Sequence, residues 1–476
     1  MIINTIDELI AKRFKVIIVG SGITGISIAI RLEKYGIESL VLEAGEYEFN
    51  DDSYKYLEVE SIGDHKGDFT NNRIRQFGGS SLIWGGNCNP MNENNFENWP
   101  ISKRNLDEYL DDAKEFLKLK NNFFSERINQ NFNIYNLLWS KIRINESYLD
   151  HIKKSKFIHL SLNTTFLDIE KKGKRIISIL CKKNQKKIDL VSNFFVLATG
   201  GIENSRLLLW LKQKHKNFFD DRLPIGKYYM HHPFFTLGHG ILNYKKMTKY
   251  FKKLKISNYS LATCESRLFL ECNNFFLNKH NILNSGIYIK FSGTNSKNFI
   301  DQLRCIAPNY IKKFYDDLNS ENVYEISLQA LQEQKPIETN YVSLGKNFDP
   351  NGIPLAKLNW KRNDLEMRSI RLIMEHVGDF FIKEDLGRIA LEEYIFNEDL
   401  DFTFTSGNHQ MGGTRIGFEK KNSVVDENLK VHDIENLYVA GSSVFSSSGH
   451  CHPTLTIVQL SLRLGDQLMS IIKKLS

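Results

Sequence analysis

The chain has 476 residues, of which 41% are hydrophobic and 25% charged, a composition that indicates a globular protein and excludes a disordered or collagen-like one. Its length predicts about three domains of common size, or two large interleaved ones. The formal net charge of +7 comes from short, scattered basic runs, which predict solvated faces and no nucleic-acid partner.

The six cysteines are spaced in a way that predicts neither a zinc site nor a dithiol, because no C-x-x-C pair occurs among Cys88, Cys181, Cys264, Cys272, Cys305 and Cys451. The first residues lack the apolar core of a signal peptide, and no apolar run approaches the length of about 18 residues that a membrane span needs. We therefore expect a cytoplasmic protein with reduced thiols, no metal site and no membrane span.

The N-terminal segment is typical of a dinucleotide-binding fold. Residues 14–20 are a continuous apolar run, which predicts a strand buried on both faces. Gly20, Gly22 and Gly25 form a GxGxxG motif that opens a helical pattern, and the next apolar run ends at Glu43. The glycines permit the turn, the approach of a pyrophosphate and close helix packing, while an acidic residue at that distance accepts hydrogen bonds from ribose hydroxyls.

Later segments extend this domain in chain order. The glycine pairs 78–79 and 85–86 flank small hydroxyls and predict backbone lying against a flat or bulky group, with an ordinary glycine-rich loop as the alternative. Residues 193–210 predict a strand, a glycine turn and a helix. Residues 436–442 predict one more strand, and Pro453 suits the first turn of a closing helix. The domain is thus built from both ends of the chain.

These motifs together resemble the glucose–methanol–choline (GMC) oxidoreductase family, whose members use FAD to oxidise alcohols and sugars. The matching segments are GSGITG with Glu43, RIRQFGGSS, NWPIS, LATGGIENSRLLL, GKYYMHHP, NYVSLGKNFDPNGIP, NHQMGGTRIG, SVVDENLKVHDIENLYVAGSS and HPTLTI. The forms HQMGGTR and HPTLTI are nearest to the pyranose oxidase branch and related glycoside oxidoreductases.

The resemblance implies an α/β fold in which a Rossmann-like FAD-binding domain is interleaved with an α+β substrate domain on a mostly antiparallel sheet. We expect the FAD-binding domain at 1–100, 156–235 and 405–476, and the substrate domain at 236–404. Residues 101–155 show helical spacing and are expected to form a helical connection.

The resemblance also assigns site residues. The family's active-site pair falls on His409 and His452, with His409 as the general base and His452 as its partner, although the two roles could be exchanged. His450 is a competitor for the second position, and His231 and His232 are interpreted as structural. The expected cofactor-binding residues are Gly20, Gly22, Gly25, Glu43, Arg75, Gly79, Ser80, Asn87, Ala198, Gly441, Ser442, Pro453 and Thr454.

The expected cofactor is FAD, bound noncovalently because Ile83 occupies the position at which some pyranose oxidases carry a flavin-tethering histidine. The expected reaction is oxidation of an alcohol, on a sugar, glycoside or polyol, with oxygen, a quinone or a carrier protein as electron acceptor and a dehydrogenase preferred over an oxidase. The alternatives are a non-sugar alcohol and a lyase of the same fold that uses FAD structurally. Tyr288, Gln329 and Gln332 are candidate polar residues of the substrate pocket.

Overall fold

The computed structural model describes residues 1–64, 69, 72–243, 245–247, 266–292, 323–397 and 404–475. Cys264 and Cys305 lie outside these described ranges. The strands are β1 (Phe14–Val19), β2 (Ser39–Leu42), β3 (Val59–Gly63), β4 (Asn87–Cys88), β5 (Ser125–Arg127), β6 (Phe132–Trp139), β7 (Ile158–Ser161), β8 (Thr164–Lys172), β9 (Arg175–Lys183), β10 (Lys186–Leu197), β11 (Pro233–Asn243), β12 (Ser266–Cys272), β13 (Ser285–Ser292), β14 (Val323–Gln332), β15 (Tyr341–Phe348), β16 (Pro354–Trp360), β17 (Gly387–Leu391), β18 (Phe404–Ser406) and β19 (Leu437–Val439). The helices are α1 (Ile6–Ala11), α2 (Ile23–Glu33), α3 (Lys103–Asp107), α4 (Leu110–Phe116), α5 (Ile144–Ser147), α6 (Leu149–Lys154), α7 (Gly201–Lys214), α8 (Asn274–His280), α9 (Asp364–Lys383) and α10 (Thr454–Leu475).

The first sheet is the expected dinucleotide-binding sheet. Its parallel strands run in the order β7-β2-β1-β10, and β19 pairs with the other side of β10. The register places Val16–Val19 opposite Ser39–Leu42 of β2 and Phe194–Leu197 of β10. Since β1 lies between these strands, its side chains from Val16 to Val19 are buried, as the continuous apolar run predicts.

β10 is a long strand whose two halves pair differently within the first sheet. Its first half pairs antiparallel with β9, and its second half pairs in parallel with β1 and β19. The antiparallel strands β8 and β9 therefore continue the first sheet beyond its parallel part.

The second sheet is antiparallel throughout, in the order β17-β11-β14-β13-β12-β6-β4, with β18 beside β11 and β5 beside β6. Its two faces follow from the alternation of side chains along each strand. Ile287 and Leu328 pack with the apolar face of α9, whereas Tyr288 and Leu331 belong to a cluster on the opposite face. A third sheet, β15-β16-β3, packs around the buried Trp360.

The segment 101–155 differs from the expected helical connection. It holds four short helices, but it also contains β5 and β6, and β6 pairs with β12 across the whole of β12. The apolar run at Phe132–Trp139 fits a helix or a strand equally well by pattern, and pairing with β12 decides for the strand. This segment therefore supplies strands to the second sheet.

The closing helix α10 packs against α2, so the two ends of the chain meet in three dimensions. The Arg31 guanidinium of α2 donates to Asp466 of α10 at 2.6 Å and to Asp112 at 2.5 Å. The Arg31 side chain crosses α10 at Gly465. A Cβ added to Gly465 would lie 2.6 Å from Cγ of Arg31. This contact joins the last turn of α2 to the middle of α10.

We expect Gly25→Ala to lower the apparent melting temperature, because its Cβ would lie 1.9 Å from the backbone oxygen of Gly20 and the neighbouring backbone cannot yield cheaply. The expected loss is at least about 2 kcal/mol. The matched control is Gly378→Ala in α9, where an added Cβ has no neighbour within 4 Å and alanine should stabilise by about 0.5–1 kcal/mol. Thermal unfolding of both variants under identical conditions is the measurement, and equal melting temperatures would contradict the packing role of Gly25.

Candidate functional site

A cavity of about 550 Å³ lies at the carboxyl edge of the first sheet and extends beneath the second sheet. Three backbone hydrogen bonds join the residues that end the strands: Gly20 to Leu42, Ala198 to Val19 and Ala440 to Leu197, at 2.8 to 2.9 Å. In the strand order, β2 lies on one side of β1 and β10 on the other, so the chain changes direction at β1. Ligands bind at such topological switch points in open α/β sheets.

The glycine motif forms one end of this cavity. Gly20 has a φ of +111°, and an added Cβ there would lie 2.5 Å from the Ala198 oxygen. At Gly22, by contrast, an added Cβ meets no atom within 4 Å, so the backbone faces open space. Gly22 caps α2 without a side-chain hydrogen bond, which leaves first-turn N–H groups available to an anion.

Glu43 lies beside this motif and is 7% exposed. Its carboxylate accepts hydrogen bonds from the Ser21 hydroxyl at 2.6 Å and from the Gly45 N–H at 2.8 Å. Burial raises the pKa of Glu43, and these hydrogen bonds oppose the rise. The carboxylate is thus held at the end of β2, on the wall of the cavity.

The second glycine loop approaches the first one closely. An added Cβ on Gly79 would lie 3.3 Å from the Cα of Gly22, and the Gly78 N–H donates to the Ser21 hydroxyl at 3.2 Å. Arg75, which precedes this loop, lies over the Tyr56 ring at 4.1 Å and donates to Thr165 at 2.9 Å. The loop therefore forms a wall of the same cavity.

The structure brings the sequence-predicted cofactor residues together. The following line the cavity: Gly20, Gly22, Glu43, Arg75, Gly79, Ser80, Asn87, Ala198, Gly441, Ser442, Pro453 and Thr454. Gly25 does not line it, since it packs α2 against the turn at Gly20. The beginning of α10 at Thr454 also faces the cavity and directs its first-turn N–H groups towards it.

His409 and His452 meet at the other end of the cavity. Their ring centroids are 5.1 Å apart and the ring planes cross at 76°, although 43 positions separate them in sequence. Both side chains line the cavity. Two imidazoles at this distance can contact one small polar group between them.

His452 is held by two neighbours. Asn89 Oδ1 accepts from the His452 backbone N–H at 3.0 Å and lies 3.2 Å from the ring Nδ1. The Tyr288 hydroxyl lies 2.9 Å from Nε2. Asn89 was missed in the sequence, where only its position just after the glycine loop could have indicated it.

His409 contacts a third histidine. Its Nδ1 lies 2.8 Å from Nδ1 of His232, a buried residue that the sequence interpretation treated as structural. Burial lowers the pKa of His409 well below the ordinary value, and the nearby rings of His232, His452 and His231 lower it further. His409 is therefore a neutral imidazole at neutral pH.

His450 is directed away from this pair. It is 1% exposed and its Nε2 lies 3.1 Å from the Glu271 carboxylate. Burial opposes protonation of His450, but Cys451 and Glu271 outweigh it and hold the pKa well above the ordinary value. His450 does not line the cavity, which fits the assignment of His452 rather than His450 to the pair.

The second sheet covers the histidine end of the cavity. Phe234, Tyr288, Gln329, Leu331 and Asn408 line it there. Gln332, named from the sequence as a candidate, instead points into the second sheet, where it is buried and accepts from the Ser285 hydroxyl. The wall that faces the histidines is thus part apolar and part polar.

Within the described ranges, no group of three or more His, Cys, Asp or Glu side chains is arranged to hold a metal ion. Over the same ranges, the helices include none with both the length and the apolar character needed to cross a membrane. The described cysteines Cys88, Cys181, Cys272 and Cys451 are buried and free.

Comparison with known proteins gives a match to a family model and matches to curated proteins. Over residues 336–461 the chain matches the family model described as GMC oxidoreductase. It is 28% identical over 164 residues to the fructose dehydrogenase large subunit of Gluconobacter japonicus, and 24% identical over 292 residues to 2-methyl-1,2-propanediol dehydrogenase of Mycolicibacterium austroafricanum. The alignments cover 34% and 59% of this chain but 28% and 48% of these relatives, so the chain spans less than half the length of the curated relatives it matches.

The fold has solved counterparts. A structure of formate oxidase from Aspergillus oryzae, obtained in a study of FAD modification, aligns with a TM-score of 0.61 at 16% identity and covers 98% of this chain and 99% of that one. The fold and the cleft define an α/β protein with a dinucleotide-type glycine turn at one end of its cavity and paired histidines at the other. Over residues 336–461 the chain is similar to the GMC oxidoreductase family, and its fold is that of the solved formate oxidase.

We expect Gly22→Ala to leave the fold intact and to weaken FAD binding at least about tenfold, equivalent to 1.4 kcal/mol. The added methyl group meets no protein atom within 4 Å, and the backbone φ of −70° suits alanine. The methyl group therefore disturbs a ligand bound in this open space and not the protein around it. Titration of the FAD-free protein with FAD, followed by flavin fluorescence, gives the Kd. Gly378→Ala is the control, and an unchanged Kd for Gly22→Ala would refute the assignment of this space to the cofactor.

Proposed function

We propose that the protein binds FAD noncovalently and oxidises an alcohol group to a carbonyl, with His409 as the general base and His452 as its partner. The observation that carries this proposal is the convergence of His409 and His452 in the same cavity as the glycine turn. A nucleotide cleft by itself fits many activities, whereas two imidazoles facing it supply what removal of a hydroxyl proton requires.

The cavity fits FAD on three local features. Open space at Gly22 and the uncapped first turn of α2 suit a pyrophosphate. Glu43 holds a carboxylate where ribose hydroxyls would lie, which follows the dinucleotide-binding pattern. The beginning of α10 supplies N–H groups and partial positive charge at the end near the histidines. Ile83 has a hydrocarbon side chain, which cannot form a covalent bond to the cofactor.

The groups around the histidines have separate roles in alcohol oxidation. FAD supplies the acceptor for the hydride that leaves the carbon. His409 takes the hydroxyl proton, because its surroundings keep its imidazole neutral. His452, whose ring is held by Asn89 and Tyr288, faces the same space from the other side and, as the partner of His409, limits where the hydroxyl group can lie.

The substrate class is inferred from the residues that line the histidine end of the cavity and from the names of the relatives. Tyr288, Gln329 and Asn408 offer hydrogen bonds to hydroxyl groups, and Phe234 and Leu331 offer apolar surface to a ring or chain. Relatives named as a fructose dehydrogenase and a propanediol dehydrogenase support a sugar or polyol. These two names fit a dehydrogenase, whereas other relatives are named as paromamine and pyranose oxidases, so the preference for a dehydrogenase stays a prediction. The cytoplasmic location also stays a prediction from the sequence.

We expect His409→Gln to retain FAD and to slow flavin reduction by substrate about 10²–10⁴-fold, the usual contribution of a general base. The measurement is anaerobic loss of oxidised flavin absorbance, first with the native protein across a panel of sugars, glycosides and polyols, then with the variant and its best substrate. The control is His239→Gln, which removes a half-exposed histidine of β11. Full retention of the rate in His409→Gln would refute the base assignment, and a native protein that binds FAD but is reduced by no alcohol would refute the proposed reaction.

We also expect kcat/KM to be independent of pH from about 6.5 upwards until other groups titrate. The pKa of His409 is lowered well below the ordinary histidine value by burial and by the adjacent rings, so the base loses its lone pair only in acid. A pH series of kcat/KM tests this. An acid limb centred at 6.5 or above would contradict it, and His409→Gln should lack the limb altogether.

A further inference from the structure

His232 lies between His409 and a backbone carbonyl. Its Nδ1 is 2.8 Å from Nδ1 of His409, and its Nε2 is 2.8 Å from the backbone oxygen of Gly449. The side chain is fully buried, and its ring stands at 89° to that of His409 with the centroids 5.0 Å apart. The three groups form one hydrogen-bonded line from the loop of His452 to the proposed base.

The direction of the hydrogen bonds along this line is fixed at Gly449. A carbonyl oxygen only accepts, so Nε2 of His232 must carry a hydrogen. Burial lowers the pKa of His232 to about 3, so at neutral pH the ring is neutral and its Nδ1 is an acceptor. Nδ1 of His409 therefore donates to it, and the lone pair of His409 is left on Nε2.

We propose that His232 is a positioning residue that fixes the tautomer of His409, so that Nε2 of His409 carries the lone pair that removes the substrate proton. This inference rests on the proposed function and deepens it, since it decides which histidine is the base. Without an acceptor at Nδ1, a neutral imidazole can place its hydrogen on either nitrogen, and only one form is a base at Nε2.

The neighbours of His452 give it the other role. Asn89 Oδ1 accepts the backbone N–H of His452, so the ring Nδ1 at 3.2 Å from the same oxygen is a donor as well. Nε2 of His452 is then the acceptor of the Tyr288 hydroxyl at 2.9 Å. The lone pair of His452 is engaged by a phenol, whereas Nε2 of His409 has no hydrogen-bond partner among the described residues.

Backbone hydrogen bonds fix the segments that carry His232 and His409 relative to each other. Met230 and Met411 exchange two backbone hydrogen bonds at 2.8 and 3.0 Å, and the Gly407 N–H donates to the His232 oxygen at 2.9 Å. These bonds lie on both sides of His409. The ring of His232 is therefore placed by main-chain pairing and does not depend on a flexible contact.

The titratable groups that face His232 keep it neutral. His409 adjoins it on one side, and His450, whose pKa is held high in its pairing with Glu271, lies on the other. A proton on His232 would face this positive charge in a buried site. The backbone groups of Gly449 and Ser448 favour a proton there, and burial outweighs them.

The first test reads the tautomer without turnover. The holoprotein is labelled with ¹⁵N-histidine, and the His409 signals are assigned by their loss in His409→Gln. We expect a protonated Nδ1 and an unprotonated Nε2 for His409 in the native protein, and loss of this preference in His232→Leu. A native His409 with its hydrogen on Nε2, or an unchanged pattern in His232→Leu, would overturn the inference whether or not the protein oxidises an alcohol.

The second test uses flavin reduction. We expect His232→Leu to retain FAD and to reduce the flavin about 10- to 1,000-fold more slowly, within the range that a correctly placed base contributes. Raising the pH should not restore the rate, because a wrong tautomer, unlike a protonated base, is not corrected by removing protons. His232→Asn can present its amide oxygen to Nδ1 of His409 and should recover part of the rate.

The control for a lost buried imidazole is His231→Leu, which removes the adjacent, equally buried ring that packs on Trp360. It should reduce at the native rate. A native rate in His232→Leu, full rescue by high pH, or His232→Asn no faster than His232→Leu would each overturn the role of His232. If the native protein is not reduced by any alcohol, the proposed function fails while the tautomer measurement still decides the inference.

Discussion

The cleft depends on one pairing arrangement, in which β10 lies in parallel between β1 and β19. β1 comes from the beginning of the chain and β19 from its end, and only β10 brings their carboxyl ends to one edge. The turn at Gly20, the backbone at Ala198 and the loop after Ala440 meet there through hydrogen bonds of 2.8 to 2.9 Å. The glycine turn and the loop after Ala440 at the nucleotide end of the cavity are positioned by these strands.

The loop before α10 separates two electrostatic environments. On one side of Gly449 lies the line of neutral rings, His232 and His409, and on the other lies the buried ion pair of His450 and Glu271. Burial destabilises charge on both sides, but Cys451 and Glu271 raise the pKa of His450, whereas the pKa of His232 is lowered. Histidines from separate segments that lie close together thus have their pKa values shifted in opposite directions by their surroundings.

The sequence indicated what depends on local pattern. The strand before Gly20 and the acidic residue at Glu43 follow from local pattern, the two histidine motifs were assigned by resemblance to a family, and the glycine turn, Glu43 and both histidines line one cavity. The segment 101–155 was predicted to be helical from the apolar spacing of residues 105–119, and the strand at Phe132–Trp139 within it pairs with β12, which is more than a hundred positions away. Asn89 and His232 were missed as site residues because their roles are set by which nitrogen or oxygen they face across the fold. Spacing along a chain carries no information about that.

The position of β19 so close to the end of the chain has a consequence for the order of assembly. Domains fold as the chain leaves the ribosome from its N-terminus, and contacts between distant segments form late. β1, β2 and β10 can pair while the second half is still being made, but residues 437–475 must emerge before the last parallel strand and α10 can join them. Until then, the apolar side of β10 and the face of α2 that α10 covers are exposed to solvent. The newly made protein therefore passes through a stage with an open sheet edge, and the nucleotide site is completed only once residues 437–475 have joined it.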